Sequence, residues 1–450
     1  MKHPNWLLEG IPVYPDGELL NEPFLLGGGL HDGFEKPFEE KSVMHIVNGT
    51  SEEAFLSYCD ELVSAGFRAG FSRDAEHGLY RELIGNGKLL YVYWLRRTGQ
   101  ARIIDDRSSV SCADFLSGVS SEEMRTDTEL MQFGLFYGDP LKGRVSSCGM
   151  LYVIRQRSNK LFLVDGGLSA QCTNAALEEL MVRLRELTQT GDGEPMTISC
   201  WFCTHAHNDH MDLFISLMKR YGDVLKVERV LFNFPHPEYT GLPEEIAKKF
   251  AHEYLDSAMN ALRQYCPDAR YMKAHTGQKF DFGNLAAEVI LTHEDMIYEN
   301  GARAYLGGLN TSSTVLKLSF DGSSLLILGD ADENNGDVLQ KYYLPDELSC
   351  TYLQAAHHLA NLDENIYSYV RAESVLIPQG HLRIHRIRRE HYGILCKYFD
   401  RDRFYLEGDY TVIFRVKDGS EEVTYYQLMG GPFDPKMDGQ NLWSPCTEDF

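Results

Sequence analysis

The stretch "THAHNDHMD", Thr204 to Asp212, follows an apolar run, "TISCWFC", and places three histidines and two aspartates within eight residues. The imidazoles of His205 and His207, two positions apart, can turn to one side of an extended segment. Asp209 and His210 come just after, where the chain can bend and offer a second pair of ligands. Neutral imidazole and carboxylate suit zinc, or manganese and iron under other conditions. The stretch therefore predicts a metal site at a strand end.

Three further polar clusters follow apolar, strand-like runs. They are Asp165 in "FLVDGG", Asp330 in "LLILGDAD" and the pair His357 and His358 in "LQAAHH". Singly, each has an ordinary explanation, such as a turn or a buried, hydrogen-bonded histidine. Together they indicate a layered α/β fold with its chemistry at the strand ends.

Composition narrows the class of protein. The 450 residues favour two domains, and the formal net charge of −23 argues against a nucleic acid or an anionic membrane as partner. The N-terminus lacks the apolar region of a signal peptide, and the sequence contains no apolar run long enough to span a membrane. Ten scattered cysteines then predict reduced thiols in a cytoplasmic protein.

The rhythm of the sequence changes near residue 120. Before it, "SVMHIV" predicts a strand, Thr50 with Glu53 resembles a capping box that opens a helix, and "GNGK" predicts a hairpin. The polar stretch 105–129 is a candidate linker. After it, strands alternate with helices. We therefore predict a small α/β domain at 1–120, of unassigned role, and a larger domain at 121–450.

The motif "THAHNDH" matches the HxHxDH signature of the metallo-β-lactamase superfamily, and the other three clusters follow in that family's order. The chain most resembles the hydrolase domain of ComEC/Rec2-like proteins, which have the same His-His pair and an Asn–Ser-rich segment before the Gly–Asp strand. The resemblance covers about Met131 to Leu428. It implies a four-layer αββα sandwich with two divalent metal ions, zinc or else manganese or iron, at one rim of the sheets.

Carried over by position, the resemblance implies six metal ligands: His205, His207, Asp209, His210, Asp330 and His357. The two histidines of the HxH element would hold the first metal, and Asp209 with His210 the second. Asp330 would bridge both ions, and His357 would complete the second, with His358 as its competitor. Asp165 is expected to accept a hydrogen bond from a ligating histidine and fix its tautomer.

The chain departs from the family at Asn310. Most members supply a third histidine to the first metal from a segment like H-T-x-x-S-V, and here the segment reads "NTSSTV". An amide oxygen is a weak zinc ligand, so the first metal would be poor in ligands. His293 could fill the gap, and His381 or His385 is a better candidate.

Two close divalent ions lower the pKa of a shared water and polarise the bond attacked. Asp209 or Asp330 would orient the water, His385 would protonate the leaving group, and Arg383 and Arg386 would bind a phosphate or carboxylate. We therefore predict a hydrolase.

Its expected substrate is a small anionic molecule, a phosphodiester or related phospho-compound. Alternatives are hydrolysis of a lactone, thioester or amide, an iron-dependent redox reaction, or a non-catalytic binding protein of the same fold. A homodimer is compatible with the sequence.

Overall fold

A computed structural model of the chain describes most of its residues. The described ranges are 10–20, 24–25, 42–107, 110–135, 137–139, 144–146, 149–168, 174–235, 254–297, 309–360, 363–428 and 431–433. In this part of the chain, none of the helices is both long enough and apolar enough to cross a bilayer.

The N-terminal region forms an antiparallel sheet of seven strands with one helix on it. Its elements are β1 (Glu18–Leu19), β2 (Phe24–Leu25), β3 (Val43–Asn48), α1 (Glu52–Ser64), β4 (Arg68–Asp74), β5 (Gly78–Gly85), β6 (Lys88–Leu95) and β7 (Gln100–Asp106). The predicted "GNGK" hairpin is confirmed: β5 pairs with β6, and Asn86 and Gly87 adopt the left-handed backbone that a tight hairpin turn needs.

The next elements begin the larger region. They are α2 (Cys112–Leu116), β8 (Thr128–Gln132), β9 (Tyr137–Asp139), β10 (Arg144–Ser146), β11 (Leu151–Arg155), β12 (Leu161–Asp165), α3 (Asn174–Thr188), β13 (Met196–Cys203), α4 (Asn208–Tyr221), β14 (Leu225–Val227), β15 (Arg229–Phe232), α5 (Asp256–Tyr265) and β16 (Arg270–Lys273). Strands β9 and β10 pair only with each other among the described strands.

The remaining elements complete two large sheets. They are β17 (Lys279–Asp281), β18 (Leu285–Leu291), β19 (Val315–Phe320), β20 (Ser323–Ile327), α6 (Glu333–Tyr342), β21 (Cys350–Gln354), α7 (Glu364–Tyr369), β22 (Ala372–Ile377), α8 (Arg389–Tyr398), β23 (Phe404–Leu406), β24 (Tyr410–Lys417), β25 (Ser420–Gln427) and β26 (Pro432–Phe433). One sheet runs β16-β15-β13-β12-β11-β8-β24-β25-β26, with β14 beside β13, and the other runs from β17 to β23 in sequence order.

Alternating side chains of the first large sheet enter two different cores. Val153, Leu163 and Cys203 pack with α3, α4 and α5, whereas Ile154 and Cys200 join an apolar cluster shared with the second large sheet. The two cysteines of "CWFC" therefore point to opposite faces and are free thiols, as their spacing on a strand predicts.

Three local predictions are corrected or bounded. Ser51 rather than Thr50 caps α1, because its hydroxyl accepts the Ala54 N–H at 3.1 Å, while the Thr50 hydroxyl donates to the Tyr14 hydroxyl. The candidate linker 105–129 contains α2 and the start of β8, with Phe115 fully buried. The sequence also predicts a long helix over 243–266; its first part lies outside the described residues, and α5 forms its second part.

The N-terminal sheet packs directly on the larger region. Tyr80, Tyr91 and Tyr93 belong to the same buried cluster as the second large sheet, and Arg73 donates to the Gly277 carbonyl and pairs with Glu288 at 2.6 Å. A domain division at residue 120 stays a prediction, because this apolar cluster is continuous across it.

A substitution at Gly277 tests whether the N-terminal sheet packs on the larger region in this way. The φ of Gly277 is +87°, and a Cβ there would lie 1.9 Å from the Tyr80 ring. Gly283 has a matching φ of +86°, yet a Cβ there meets only the Ser120 carbonyl at 3.3 Å. We expect Gly277→Ala to lower the free energy of unfolding by about 2–4 kcal/mol and Gly283→Ala by about 1 kcal/mol, since only the first adds overpacking to backbone strain. Urea denaturation of both variants measures the difference, and equal losses would contradict the described contact.

Candidate metal centre

The polar clusters of the sequence meet because of how the strands run. Strands β12 and β13 are parallel neighbours in one sheet, and β20, β21 and β22 are parallel neighbours in the other. Parallel strands end at the same edge of a sheet. The residues after β13, β20 and β21 meet at one place, where His205, His210 and Asp330 are buried.

Two groups of side chains there have the spacing of metal ligands. Their potential donor atoms lie within 4.8 Å of one another in each group. One group is His205, His207 and Asp330, and the other is Asp209, His210, Asp330 and His358. Asp330 belongs to both, as a bridging carboxylate would.

The two carboxylate oxygens of Asp330 face different imidazoles. Oδ1 lies 3.2 Å from His210 Nε2 and 3.5 Å from His358 Nε2. Oδ2 lies 3.8 Å from His205 Nε2 and 3.7 Å from His357 Nε2. The carboxylate thus divides the histidines into two pairs, one at each oxygen.

Asp165 fixes the loop that carries His205 and His210 through hydrogen bonds. Its Oδ1 accepts the Thr204 N–H at 2.7 Å, and its Oδ2 lies 2.6 Å from His210 Nδ1. The Thr204 hydroxyl donates to Oδ2 at 2.7 Å and also contacts His205 Nδ1 at 3.0 Å. These contacts leave Nε2 of both imidazoles directed at Asp330.

The backbone around these residues explains the glycines of the motifs. Gly166, in "DGG", lies against α4, and a Cβ there would approach Phe214 Cβ to 2.4 Å. Gly329, just before Asp330, has φ +59° and packs on Thr204 and Ser313. His207 is the N-cap of α4, so Asp209 lies in the first turn, where a carboxylate is stabilised by the helix dipole.

Burial and charge set the protonation of the cluster. Burial lowers the pKa of His205 well below its usual range, and the neighbouring His210 lowers it further. Burial raises the pKa of Asp330, but the charges of His210 and His358 outweigh it and hold that pKa well below normal. Burial likewise lowers the pKa of His207. Burial lowers the pKa of His210 too, but Asp330 and Asp165 outweigh it and raise that pKa well above normal. His205 and His207 are therefore neutral, the form that binds a divalent cation, whereas a cation at His210 would displace a proton.

Three buried atoms indicate that these residues fit a metal ion. Asp330 Oδ1, Asn310 Oδ1 and His357 Nδ1 make no aligned hydrogen bond within the described ranges. Two pairs of imidazole nitrogens also face each other, His205 Nε2 with His207 Nδ1 at 3.0 Å and His210 Nε2 with His358 Nε2 at 3.2 Å. Buried imidazole nitrogens gathered around a carboxylate are the donor set that zinc prefers.

The His-His pair is placed differently from the expectation. His358, and not His357, lies in the group with Asp209 and His210, at 3.5 Å from Asp209 Oδ2. Three consecutive residues, His357, His358 and Leu359, have a left-handed φ between 48° and 58°. At this turn the two neighbouring imidazoles approach different oxygens of Asp330, which a sequence motif does not reveal.

The other predicted site residues lie outside the two ligand groups. Asn310 opens a short 3₁₀ helix, and its Nδ2 lies 3.0 Å from His357 Nε2. His293 starts another 3₁₀ helix, next to Glu294. His381 follows β22 and contacts Asp409, with Nδ1 2.7 Å from Oδ1. His385 is exposed, Arg386 is exposed and Arg383 is half-buried, all in the helical segment 381–388.

Several residues near the centre were missed by the sequence analysis. Gln354 joins the strand ends, because its amide donates to the Gly329 carbonyl and its Oε1 accepts the Leu328 N–H. Glu407 is fully buried, which raises the pKa of its carboxyl well above normal. The Tyr254 ring lies 5.3 Å from that of His207, edge to face. "LEGD", 406–409, looks like an ordinary turn, so no sequence signal marks Glu407 or Asp409.

Comparisons with known proteins agree with the motifs. The sequence model of the metallo-beta-lactamase superfamily matches residues 149–369, and no curated protein matches the chain. The similar solved structures include the diiron β-hydroxylase CmlA from Streptomyces venezuelae, with 13% identity over 56% of this chain and 44% of that one, at a TM-score of 0.30. This chain thus spans less than half of the CmlA chain.

Two further structures are comparably distant. A diphosphatase of the PhnP family has 12% identity over 56% of this chain and 85% of that one, with a TM-score of 0.30. Yeast PDE1 has 13% identity over 56% and 75%, with a TM-score of 0.27. At these scores the superpositions support no conclusion about substrate. Residues 149–369 thus match the metallo-beta-lactamase superfamily, and the buried His/Asp cluster with the spacing of metal ligands lies within that matched region.

Proposed function

We propose that the chain is a binuclear-metal hydrolase that cleaves a small anionic substrate, a phosphodiester or related phospho-compound. The division of Asp330 between two sets of imidazoles is the observation that supports it most. His205 and His207 would hold one ion, and Asp209, His210 and His358 the other. Two bound divalent ions would supply Lewis acidity and a water of lowered pKa.

The chain's own residues support the remaining steps. Asp209 is positioned to hold and orient a water, because burial raises its pKa but the hydrogen bond and charge of His358 and the charge of His210 keep it ionised. His385, predicted as the proton donor, is joined by a second candidate, His381. The hydrogen bond that His381 Nδ1 donates to the Asp409 carboxylate raises the pKa of His381 and favours its protonated form.

The preference for an anion rests on the basic segment 381–388. It begins at the end of β22, whose neighbour β21 leads to the metal groups, and the Gln379 amide donates to the His358 carbonyl at 3.4 Å. The segment that carries Arg383 and Arg386 therefore begins next to the ligand groups. Guanidinium groups bind phosphate oxygens in a fork that lysine cannot form.

Three further points belong with this proposal: the layering of the fold, the identity of the metal, and the location and partners of the protein. The two cores, one between the first large sheet and its helices and one shared with the second sheet, support a four-layer αββα sandwich. Zinc as the resident metal is supported by the donor set. We also propose that the protein is cytoplasmic and homodimeric and that it binds neither nucleic acids nor membranes. The net charge of −23 supports the exclusion of these anionic partners.

A substrate panel tests the function. We expect chromogenic phosphodiesters to be hydrolysed with added zinc or manganese, faster than phosphomonoesters, lactones or β-lactams, and His207→Ala to be inactive. Arg383→Ala should raise KM for the anionic substrate roughly tenfold. Arg371→Ala removes the same charge at the opposite end of β22, where Arg371 pairs with Asp346, and should leave KM unchanged. Hydrolysis of neutral lactones alone, or one bound iron per chain, would contradict the proposal.

A further inference from the structure

Asn310 leaves the first ligand group one imidazole short of the family pattern. Within that group the structure gathers His205, His207 and Asp330, two nitrogens and one oxygen. A stable zinc site is four-coordinate, and a catalytic one keeps three protein ligands and an open position. An imidazole next to Asn310 would restore a set of three nitrogen ligands.

His357 is the imidazole that meets this requirement. Its Nε2 lies 3.7 Å from Asp330 Oδ2, the same oxygen that His205 Nε2 approaches to 3.8 Å. The other carboxylate oxygen is approached by His210 and His358. His357 and His358 are therefore adjacent in sequence but face different sides of Asp330.

The left-handed turn makes this division possible. His357 and His358 have φ values of 49° and 48°, and their ring centroids lie 6.3 Å apart at an interplanar angle of 68°. A left-handed backbone is uncommon for residues other than glycine, and a run of three such residues that ends in Leu359 indicates a constraint at this turn. The His357 N–H also donates to the Gly329 carbonyl at 3.1 Å, which ties the turn to the residue before Asp330.

The contact with Asn310 indicates which nitrogen of His357 is available. The Asn310 amide Nδ2 is 3.0 Å from Nε2, so the donor N–H of the amide lies in the direction of the imidazole lone pair. A cation would use the same lone pair.

From this geometry we infer that His357 has taken over the role of the missing third histidine and is a ligand of the first metal, while His358 is a ligand of the second. The inference rests on the proposed metal-dependent function. It assigns the His-His pair one imidazole to each ion, in place of a single ligand with a redundant neighbour.

Cobalt binding tests the assignment without reference to any substrate. The full chain, stripped of metal, is titrated with Co²⁺, and stoichiometry and visible absorption are followed. We expect two binding steps in the wild-type chain. His357→Ala should weaken by roughly 100-fold the same step that His207→Ala weakens, and should spare the step that His358→Ala and Asp209→Ala weaken.

A compensating variant guards against a folding defect. Asn310→His combined with His357→Ala should recover the weakened step, because it restores an imidazole at the family position. The inference is overturned if His357→Ala leaves both steps unchanged, if it weakens the step that His358→Ala weakens, or if the double variant recovers nothing. A wild-type chain that binds two cobalt ions but hydrolyses no substrate in the panel would instead contradict the proposed function alone.

Discussion

Replacement of Asp330 by asparagine should lower kcat/KM on the best substrate by roughly a thousandfold, a loss of about 4 kcal/mol of transition-state stabilisation. The fully buried carboxylate is the only group that belongs to both ligand sets in the described part of the chain. An amide keeps its shape but offers one weak oxygen donor and turns an N–H₂ towards the other set. The variant should also retain less metal after dialysis.

Asp332→Asn is the matched control, two residues away in the same "GDAD" motif. Asp332 caps α6 by accepting the Asn334 N–H at 3.0 Å, and asparagine caps helices nearly as well. We expect this variant to keep the activity and metal content of the wild type. Metal analysis and steady-state kinetics on both proteins measure the contrast, and an active, fully loaded Asp330→Asn would remove the basis of the proposed centre.

The second large effect is expected at His275, where the N-terminal sheet meets the larger region. This buried imidazole lies between two carboxylates, with Nε2 2.9 Å from Asp106 Oδ2 and Nδ1 3.0 Å from Glu294 Oε2. The Tyr91 ring stacks on it at 5.0 Å. His275→Gln would leave two buried carboxylates without a cation between them. We expect it to lower the free energy of unfolding by about 3–5 kcal/mol at pH 6.

The same contact predicts a pH dependence. Burial lowers the pKa of His275, but Glu294 and Asp106 outweigh it and raise that pKa to about 9, against 6.5 in the unfolded chain. The folded protein thus holds this proton more tightly than the unfolded chain does. The resulting stabilisation is complete below pH 6.5 and is lost as the pH rises through about 9. A shift of this size corresponds to roughly 3 kcal/mol.

Urea denaturation at pH 6 and pH 9.5 measures this loss. The wild type should lose stability across the interval, and His275→Gln should lose much less. His45, buried in the same N-terminal sheet, is the control: burial lowers its pKa to about 4, so near pH 6 only the unfolded chain binds a proton there, and its contribution opposes the loss. His45→Gln should therefore not reduce the loss of stability between the two pH values. Equal slopes in the wild type and His275→Gln would show that His275 is not the titrating group.

The sequence predicted which segments meet at the metal centre better than it predicted the orientation of the individual ligands. Apolar runs that end in Asp or His mark strand ends, and parallel pairing then brings Asp165, Asp330 and the HxHxDH loop together by geometry alone. The orientation of His357 and His358 depends on a left-handed backbone, for which these two residues give no signal.

Contacts between regions were beyond the sequence for a different reason. Asp106 and Arg102 lie in a strand that looks self-contained, and their partners Glu294, Asp295 and His275 are more than 160 positions away. Ion pairs at such separations leave no periodic pattern. The stretch 105–129 therefore reads as a polar linker, although α2 within it is anchored by Arg229, whose side chain donates to the Phe115 carbonyl at 2.7 Å.

The continuous apolar cluster beneath the N-terminal sheet has a practical meaning for anyone who wishes to isolate the catalytic part. A fragment that begins after residue 120 would expose to water the apolar surface that Tyr80, Tyr91 and Tyr93 now cover. It would also expose Lys273, His275 and Glu294 to solvent. Such a fragment would self-associate through that surface. The N-terminal sheet thus forms an integral wall of the larger region, and the two parts should be produced together as one chain.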